Sequence, residues 1–212
     1  MSTLTLYDCR TAPSPRRARI LLAEKGVSHE TVQVDLATRE QLGEAYQRIN
    51  PRCTVPALRT DDGLLLTDNA GIAAYLEARY PEPALLGRTP AEKAEIASWN
   101  ARIEGEGFMA VAEALRNSAP RLADRAVTGP VNYPQIPELA QRGLGRLRQF
   151  LVDLNEHLAG REVVATNRFS IADITAVVTV DFARIVKVQP DEQHPHVLRW
   201  RSVMAERPSM SL

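Results

Sequence analysis

The chain has 212 residues, of which 44% are hydrophobic, enough to bury one or two cores of ordinary size. Lys+Arg number 26 and Asp+Glu 26, and the balance holds within residues 1–80 as well as beyond them, so no basic field draws nucleic acid or an acidic membrane surface. Only Cys9 and Cys53 occur, neither in a Cys-x-x-Cys pair, the opening Met1-Ser2-Thr3-Leu4 carries no basic leader, and Asp173 and Asp181 interrupt the most apolar later segment; this points to a cytoplasmic chain, neither exported nor membrane-spanning.

Residues 4–7 and 31–34 alternate apolar with polar side chains, while residues 15–25 and 40–49 carry helical spacing, which predicts strand, helix, strand, helix. In the loop before the first helix, Ser14 followed by Pro15 has the chemistry of an N-cap and a first helical residue. Arg16, Arg17 and Arg19 on that helix point in different directions and read as a solvated face. Two short strands, 57–60 and 64–66, joined by the turn-forming Asp61-Asp62-Gly63, precede a helix over 69–79. The order gives a small mixed sheet covered by helices.

Two pieces of this first region form a cradle for a small peptide. The first is Arg52-Cys53-Thr54-Val55-Pro56, where a Val-Pro step entering an apolar strand can sustain a cis bond in a tight turn and leave the Val55 N–H and C=O unpaired. Such a bare edge can pair with a peptide. The second is Leu66-Thr67-Asp68-Asn69-Ala70-Gly71-Ile72, where Asp68 closes a strand just before a helix. The free N–H groups of that helix start can hold a carboxylate, and Asp68 can take an ammonium.

Tyr80-Pro81-Glu82-Pro83-Ala84 opposes both helix and central strand and reads as a linker, with domains expected at 1–80 and 91–212 and the linker at 81–90. After it, residues 91–115, 139–158, 171–186 and 196–205 all carry helical spacing, and the proline-rich stretch 119–137 is irregular. Ser170-Ile171-Ala172-Asp173 has the spacing of a helix-capping box. His194 and His196 flank Pro195 without a third ligand, so no metal is inferred.

Over nearly its whole length the chain resembles the cytosolic glutathione S-transferases, bacterial members with a Ser/Cys-type N-terminal loop above all. Those carry a Val-Pro step with a cis proline, an acid-Ser pair at the next helix (here Asp68-Asn69), and a Ser/Thr-x-x-Asp box in the second domain. The resemblance implies an α/β N-terminal thioredoxin-like domain plus an all-α C-terminal helical domain. It also implies glutathione as co-substrate, with Thr54, Val55 and Pro56 at its cysteinyl unit and Asp68 and Asn69 at its γ-glutamyl end. The partners it implies are a small hydrophobic electrophile or peroxide as acceptor and a second copy in a homodimer.

Glutathione chemistry needs a thiolate, and a hydrogen-bond donor at the start of the first helix stabilises one. Aligned on Arg16-Arg17, Ala12 falls where several related families have serine, which makes Ser14 the substitute candidate, with Thr11, Cys9 and Tyr7 as alternatives. Each has a purely structural reading: Ser14 as a cap, Thr11 bonding its own backbone, Cys9 as a small buried apolar group, Tyr7 as a strand-end residue. Cys53, beside the expected cradle, is a further candidate for glutathionylation. Phe108, Met109 and Tyr133 are candidates for an acceptor pocket, although core packing explains aromatic and Met residues equally well. Rival functions are a non-catalytic protein-binding module on the same fold and a glutathione-dependent isomerase, dehalogenase or etherase.

Overall fold

The computed structural model describes residues 3–212; Met1 and Ser2, on which the absence of a basic leader partly rests, lie outside the described residues. They form two compact units, one running to Pro83 and taking in Val127–Asn132 and Leu212, the other comprising Ala84–Ala126 and Tyr133–Ser211. No helix among the described residues is long and apolar enough to cross a membrane.

The first unit contains β1 (Thr5–Asp8), α1 (Pro13–Glu24), β2 (Glu30–Gln33), α2 (Glu44–Gln47), β3 (Ala57–Arg59), β4 (Leu65–Leu66) and α3 (Asn69–Arg79). The sheet order is β2-β1-β3-β4, with β1 parallel to β2 and the other pairs antiparallel. This is the expected thioredoxin-like architecture. The paired Tyr7 and Ala57 join Val34 and Tyr46 in one cluster, with the Tyr7 and Tyr46 rings edge to face at 6.1 Å. The next pair, Leu6 and Leu58, lies on the opposite face by the two-residue period and is fully buried, as are Ile20, Leu22, Ile72 and Leu76 of α1 and α3.

Three local expectations change. Helix α1 begins at Pro13 with Ala12 as its N-cap, so Ser14 is not the cap. The fixed φ of Pro13 suits the first helical position as well as that of Pro15 does, and the Ser14 hydroxyl is engaged elsewhere. The helix expected over 40–49 splits into a 3-10 turn, Glu40–Leu42, and α2, because Gly43 is extended at ψ 151°. All four residues of β2 are exposed, an edge strand whose buried neighbour Val34 lies just beyond it.

Lys25, at the C-cap of α1, closes this unit. Its ammonium, fully buried, donates to Glu77 Oε2, to the Tyr80 carbonyl at 2.8 Å and to the Pro83 carbonyl at 2.7 Å, using all three protons. Arg17 and Arg19 are likewise not part of a solvated face. Arg17 is buried, and Arg19 pairs with buried Asp8 while donating to the Arg10 carbonyl at 3.0 Å.

The second unit holds α4 (Pro90–Arg102), α5 (Met109–Arg116), α6 (Pro137–His157), α7 (Ile171–Ala183) and α8 (Pro195–Ala205), with no extended strand among its described residues. The single helix expected over 91–115 is interrupted by a π-helical segment, Ile103–Phe108. Close packing explains the two glycines that follow: a Cβ on Gly107 would sit 2.7 Å from the Phe150 ring, and one on Gly143 2.7 Å from the Ala114 nitrogen. The box at α7 is formed, with the Ser170 N–H donating to Asp173 Oδ2 at 3.0 Å and the Ala172 N–H to Ser170 Oγ at 3.3 Å. Asp173 Oδ1 also accepts from the Val164 N–H (2.8 Å) and from Trp200 Nε1 (3.2 Å). Burial pushes this carboxyl up to about 6 despite those donors.

Two outcomes follow from these buried charges. Lys25→Met leaves Glu77 and two carbonyls without their donor, and should lower unfolding free energy by about 3 kcal/mol in urea titrations. For Asp173 the folded pKa exceeds the unfolded one, so its contribution is fully present below the unfolded value near 3.8 and is lost as pH rises through about 6. The stability advantage of the native chain over Asp173→Asn should therefore shrink by about 2 kcal/mol between pH ~4.5 and ~7, measured from paired denaturation curves.

Candidate functional site

The strand register gathers the chemistry of the first unit at one end of its sheet. Tyr7 pairs with Ala57, so continuing that antiparallel register sets Cys9 across from Val55. Leu58 pairs with Leu66, and the same continuation sets Pro56 across from Asp68. Helices α1 and α3 follow β1 and β4 closely, so their N-termini open at this end too.

The loop before β3 is held from beneath. Buried Tyr46 donates its hydroxyl to the Thr54 carbonyl at 2.7 Å, and fully buried Asn50 donates its amide to the same oxygen at 2.8 Å. Asn50 Oδ1 accepts from the Arg52 N–H at 3.0 Å, and Cys53 takes a left-handed φ of 54°. Burial raises the Tyr46 phenol to about 12, which keeps it a donor. The loop then delivers Val55, half-buried, into a cis peptide with Pro56. Among the described residues the Val55 N–H and C=O make no hydrogen bond.

Asp68 is the N-cap of α3, its Oδ1 accepting from the Gly71 N–H at 2.7 Å. The Ile72 N–H bonds the Asp68 carbonyl, which leaves the Asn69 and Ala70 N–H groups directed outward at the positive end of the helix. The Asn69 side chain turns toward α1. Its Nδ2 donates to Ser14 Oγ at 3.0 Å and to the Ser14 carbonyl at 3.2 Å.

At the start of α1, Pro13 and Pro15 have no N–H to offer, and the Arg16 N–H goes to the Ala12 carbonyl at 3.4 Å. Ser14 therefore supplies the one unpaired amide of the first turn among the described residues, together with its hydroxyl. Its Oγ accepts from Asn69 Nδ2 and, at 3.4 Å, from Arg17 Nη2. A hydroxyl oxygen has two acceptor positions, so with both occupied the O–H is left to donate.

The other thiol candidates sit differently. Thr11 is exposed, its hydroxyl 3.5 Å from Cys9 Sγ. Cys9 and Cys53 are free but buried, and Cys53 Sγ lies 3.6 Å from the Pro51 carbonyl, which removes it from easy exchange with a disulfide in solution. Tyr7 belongs to the core cluster beside Tyr46. In the second unit, Phe108 is half-buried with its ring 5.4 Å from that of Phe182, while Met109 and Tyr133 are exposed. The supports Tyr46, Asn50 and Arg17 were missed from sequence; the turn-forming Asn50-Pro51 step is the one local signal that could have found any of them.

The model of the glutathione S-transferase N-terminal domain matches residues 11–79, and that of the glutathione S-transferase C-terminal domain matches residues 120–208. Glutathione S-transferase 2 of Saccharomyces cerevisiae is 33% identical over 210 residues, spanning 98% of this chain and 88% of its own length. The crystal structure of Gtt2 from the same yeast aligns with a TM-score of 0.88 at 33% identity, covering 98% of each chain. The maleylacetoacetate isomerase of Pseudomonas aeruginosa is 41% identical over 93 residues, 43% of this chain and 44% of that one. The chain belongs to the glutathione S-transferase family.

Because Asp68 also caps α3, its structural and charge roles separate by substitution. Asp68→Ala should cost about 1 kcal/mol of stability through loss of the Gly71 bond, whereas Asp68→Asn, which keeps a capping oxygen, should stay within about 0.5 kcal/mol of the native chain in chemical denaturation.

Proposed function

We propose that the protein is a glutathione-dependent transferase acting on a small hydrophobic electrophile or peroxide. The observation that carries this reading is the unpaired Val55 backbone, placed by strand register at the same sheet end as the Asp68-capped start of α3. A tripeptide with a carboxylate and an ammonium at one end and an amide in the middle matches those groups.

In this reading Val55, beside Thr54 and Pro56, pairs through its N–H and C=O with the backbone of the cysteinyl unit. Asp68 takes the γ-glutamyl ammonium, and the free N–H groups of Asn69 and Ala70 take its carboxylate. Glutathione supplies a sulfur nucleophile once its thiol, with an ordinary pKa near ~8.5, is ionised. Ser14 provides the stabilising donor, from its hydroxyl and from its amide at the positive end of α1. Thr11 is the second candidate, as the exposed hydroxyl of the same loop. Phe108, Met109 and Tyr133 are proposed for the acceptor side. We place the protein in the cytoplasm, in keeping with its two free thiols, and as a homodimer, in keeping with its family. The isomerase match supports glutathione-assisted isomerisation as the second reading.

Calorimetric titration with reduced glutathione tests the reading, with binding expected between about 1 μM and 1 mM. Asp68→Asn should weaken it about tenfold or more through loss of a charged partner. Ser14→Ala should lower kcat/KM by about tenfold to a hundredfold. Absence of heat with the native chain, matched by a second binding method, would turn the assignment to a protein-binding module, and unchanged turnover of Ser14→Ala would pass the thiol role to Thr11.

A further inference from the structure

Ser14 sits at a position where a hydroxyl ordinarily has a choice. On the exposed start of a helix it can rotate to accept from solvent, donate to a nearby carbonyl, or cap its own helix. In this chain it does not cap its helix, and its oxygen is engaged by two neighbouring side chains. Asn69, from the neighbouring helix α3, donates to its oxygen at 3.0 Å and to its carbonyl at 3.2 Å. Arg17, one turn along α1 and buried, donates to the same oxygen at 3.4 Å.

We propose that Asn69 and Arg17 are positioning residues that fix the Ser14 hydroxyl as a hydrogen-bond donor toward the glutathione sulfur. The inference rests on the transferase reading above and deepens it by assigning two residues to one function of the same site. Both hydrogen bonds that the Asn69 side-chain nitrogen makes go to Ser14, so this amide is assigned to α1 and not to the γ-glutamyl end. Arg17 adds a formal positive charge to that oxygen, which polarises the O–H further. The proton count is simple. The thiol proton leaves to solvent, sulfur keeps the bonding pair, and Ser14 keeps its own proton while donating a hydrogen bond to the resulting thiolate. Besides Arg17 itself, the chain neighbours that carry charge are Asp68 at the cap of α3 and Arg16 on α1; both stay in place in every variant below, while Asn69→Asp adds a carboxylate and Arg17→Met removes a cation.

Asn69→Asp swaps a neutral donor for a charged acceptor at constant shape, and Asn69→Leu removes the donor without adding charge. The new carboxylate takes the Ser14 proton for itself, turning the hydroxyl away from sulfur. The measurement is the ultraviolet absorbance of the thiolate in the complex of the full-length protein with saturating glutathione, titrated against pH. Ser14→Ala should raise the midpoint by about one pH unit, the equivalent of about one lost hydrogen bond to an ion. Asn69→Asp should raise it further than Ser14→Ala, because it also adds a negative charge beside the sulfur. Asn69→Leu, which only removes the donor, should raise it by about as much as Ser14→Ala, and combining Asn69→Leu with Ser14→Ala should produce much less than the sum. Arg17→Lys, which keeps the charge and spares the buried site, should raise the midpoint by less than Ser14→Ala, while Arg17→Met should approach it.

Variants that raise the KM for glutathione but leave the thiolate midpoint in place would overturn the proposal and make Asn69 and Arg17 binding residues only, with the transferase reading intact. A midpoint that does not move in Ser14→Ala, or additive shifts in the double variant, would overturn it equally. Failure of the native protein to bind glutathione at all would remove the transferase reading and the proposal together. If Arg17→Met does not fold, Asn69→Leu and Arg17→Lys decide the matter.

Discussion

The carbonyl of Thr54 is the point on which the first unit turns. A carbonyl has two acceptor positions, and both are filled from within the protein, by the Tyr46 hydroxyl and the Asn50 amide. Had either been left to solvent, the loop from Asn50 to Pro56 could have rotated its peptide planes, since Thr54 and Val55 lie outside any strand ladder. With the Thr54 oxygen tied down on one side and the cis Pro56 leading directly into β3 on the other, the peptide groups of Val55 have one orientation. The bareness of that backbone is therefore built by a buried tyrosine and a buried asparagine that need never touch a ligand. Tyr46 in turn is packed by Tyr7 from the centre of the sheet, so the orientation of Val55 is coupled to the hydrophobic cluster behind it.

The same logic explains why the donors of α1 converge on one residue. A helix start normally offers several free N–H groups, which spreads its positive end over a turn. Prolines at the first and third positions delete two of them, and what is left is the amide and hydroxyl of Ser14. The network behind it stiffens the approach: Arg19 reaches Asp8, the Cys9 carbonyl and the Arg10 carbonyl, and Gln33 bridges Asp8 to the Arg10 N–H. Asp8 is itself buried and pairs with both, so the loop between β1 and α1 is anchored by charge-assisted bonds on the side away from α3 and by Asn69 on the other.

What the sequence made legible, and what it hid, follows the range of the forces involved. Val55-Pro56 and Asp68 before a helix are read from local backbone chemistry: a missing N–H, a capping carboxylate, a strand that stops. The box at Ser170 and Asp173 is equally local. The start of α1 is not readable locally because Pro13 and Pro15 satisfy the same rule, and the partner that engages the Ser14 hydroxyl, Asn69, lies 55 positions away in the chain. The solvated reading of Arg17 and Arg19 failed for the same reason, since burial and the pairing with Asp8 depend on how β1 lies beside α1. That Val127–Asn132 belongs with the first unit has no local signature at all; it is a stretch of small and apolar residues whose place is set by distant contacts, such as the approach of Gly129 to the Arg52 carbonyl.

The π-helical segment shows most plainly how packing rewrites a periodic pattern. Residues 91–115 have continuous helical spacing, but a π turn accommodates one residue more than the regular ladder and rotates everything after it. Gly107 faces the Phe150 ring so closely that no Cβ fits, which lets the π-helical segment pack directly on α6 there. The interruption is held by charges on its outer side: Arg102 pairs with Glu106 and Asp153, and Arg146 donates to the Gly105 carbonyl that the regular ladder would otherwise have used. Phe108 ends the segment against Phe182, and Met109, the first residue beyond it, points to solvent. A larger side chain at position 107 would have to displace either Phe150 or the bulge, and displacing the bulge would rotate Phe108 and Met109 with it. The orientation of these two side chains is thus fixed by a hydrogen atom on a glycine and an aromatic ring on α6, neither of which a reading of the apolar stripe along α4 and α5 could supply.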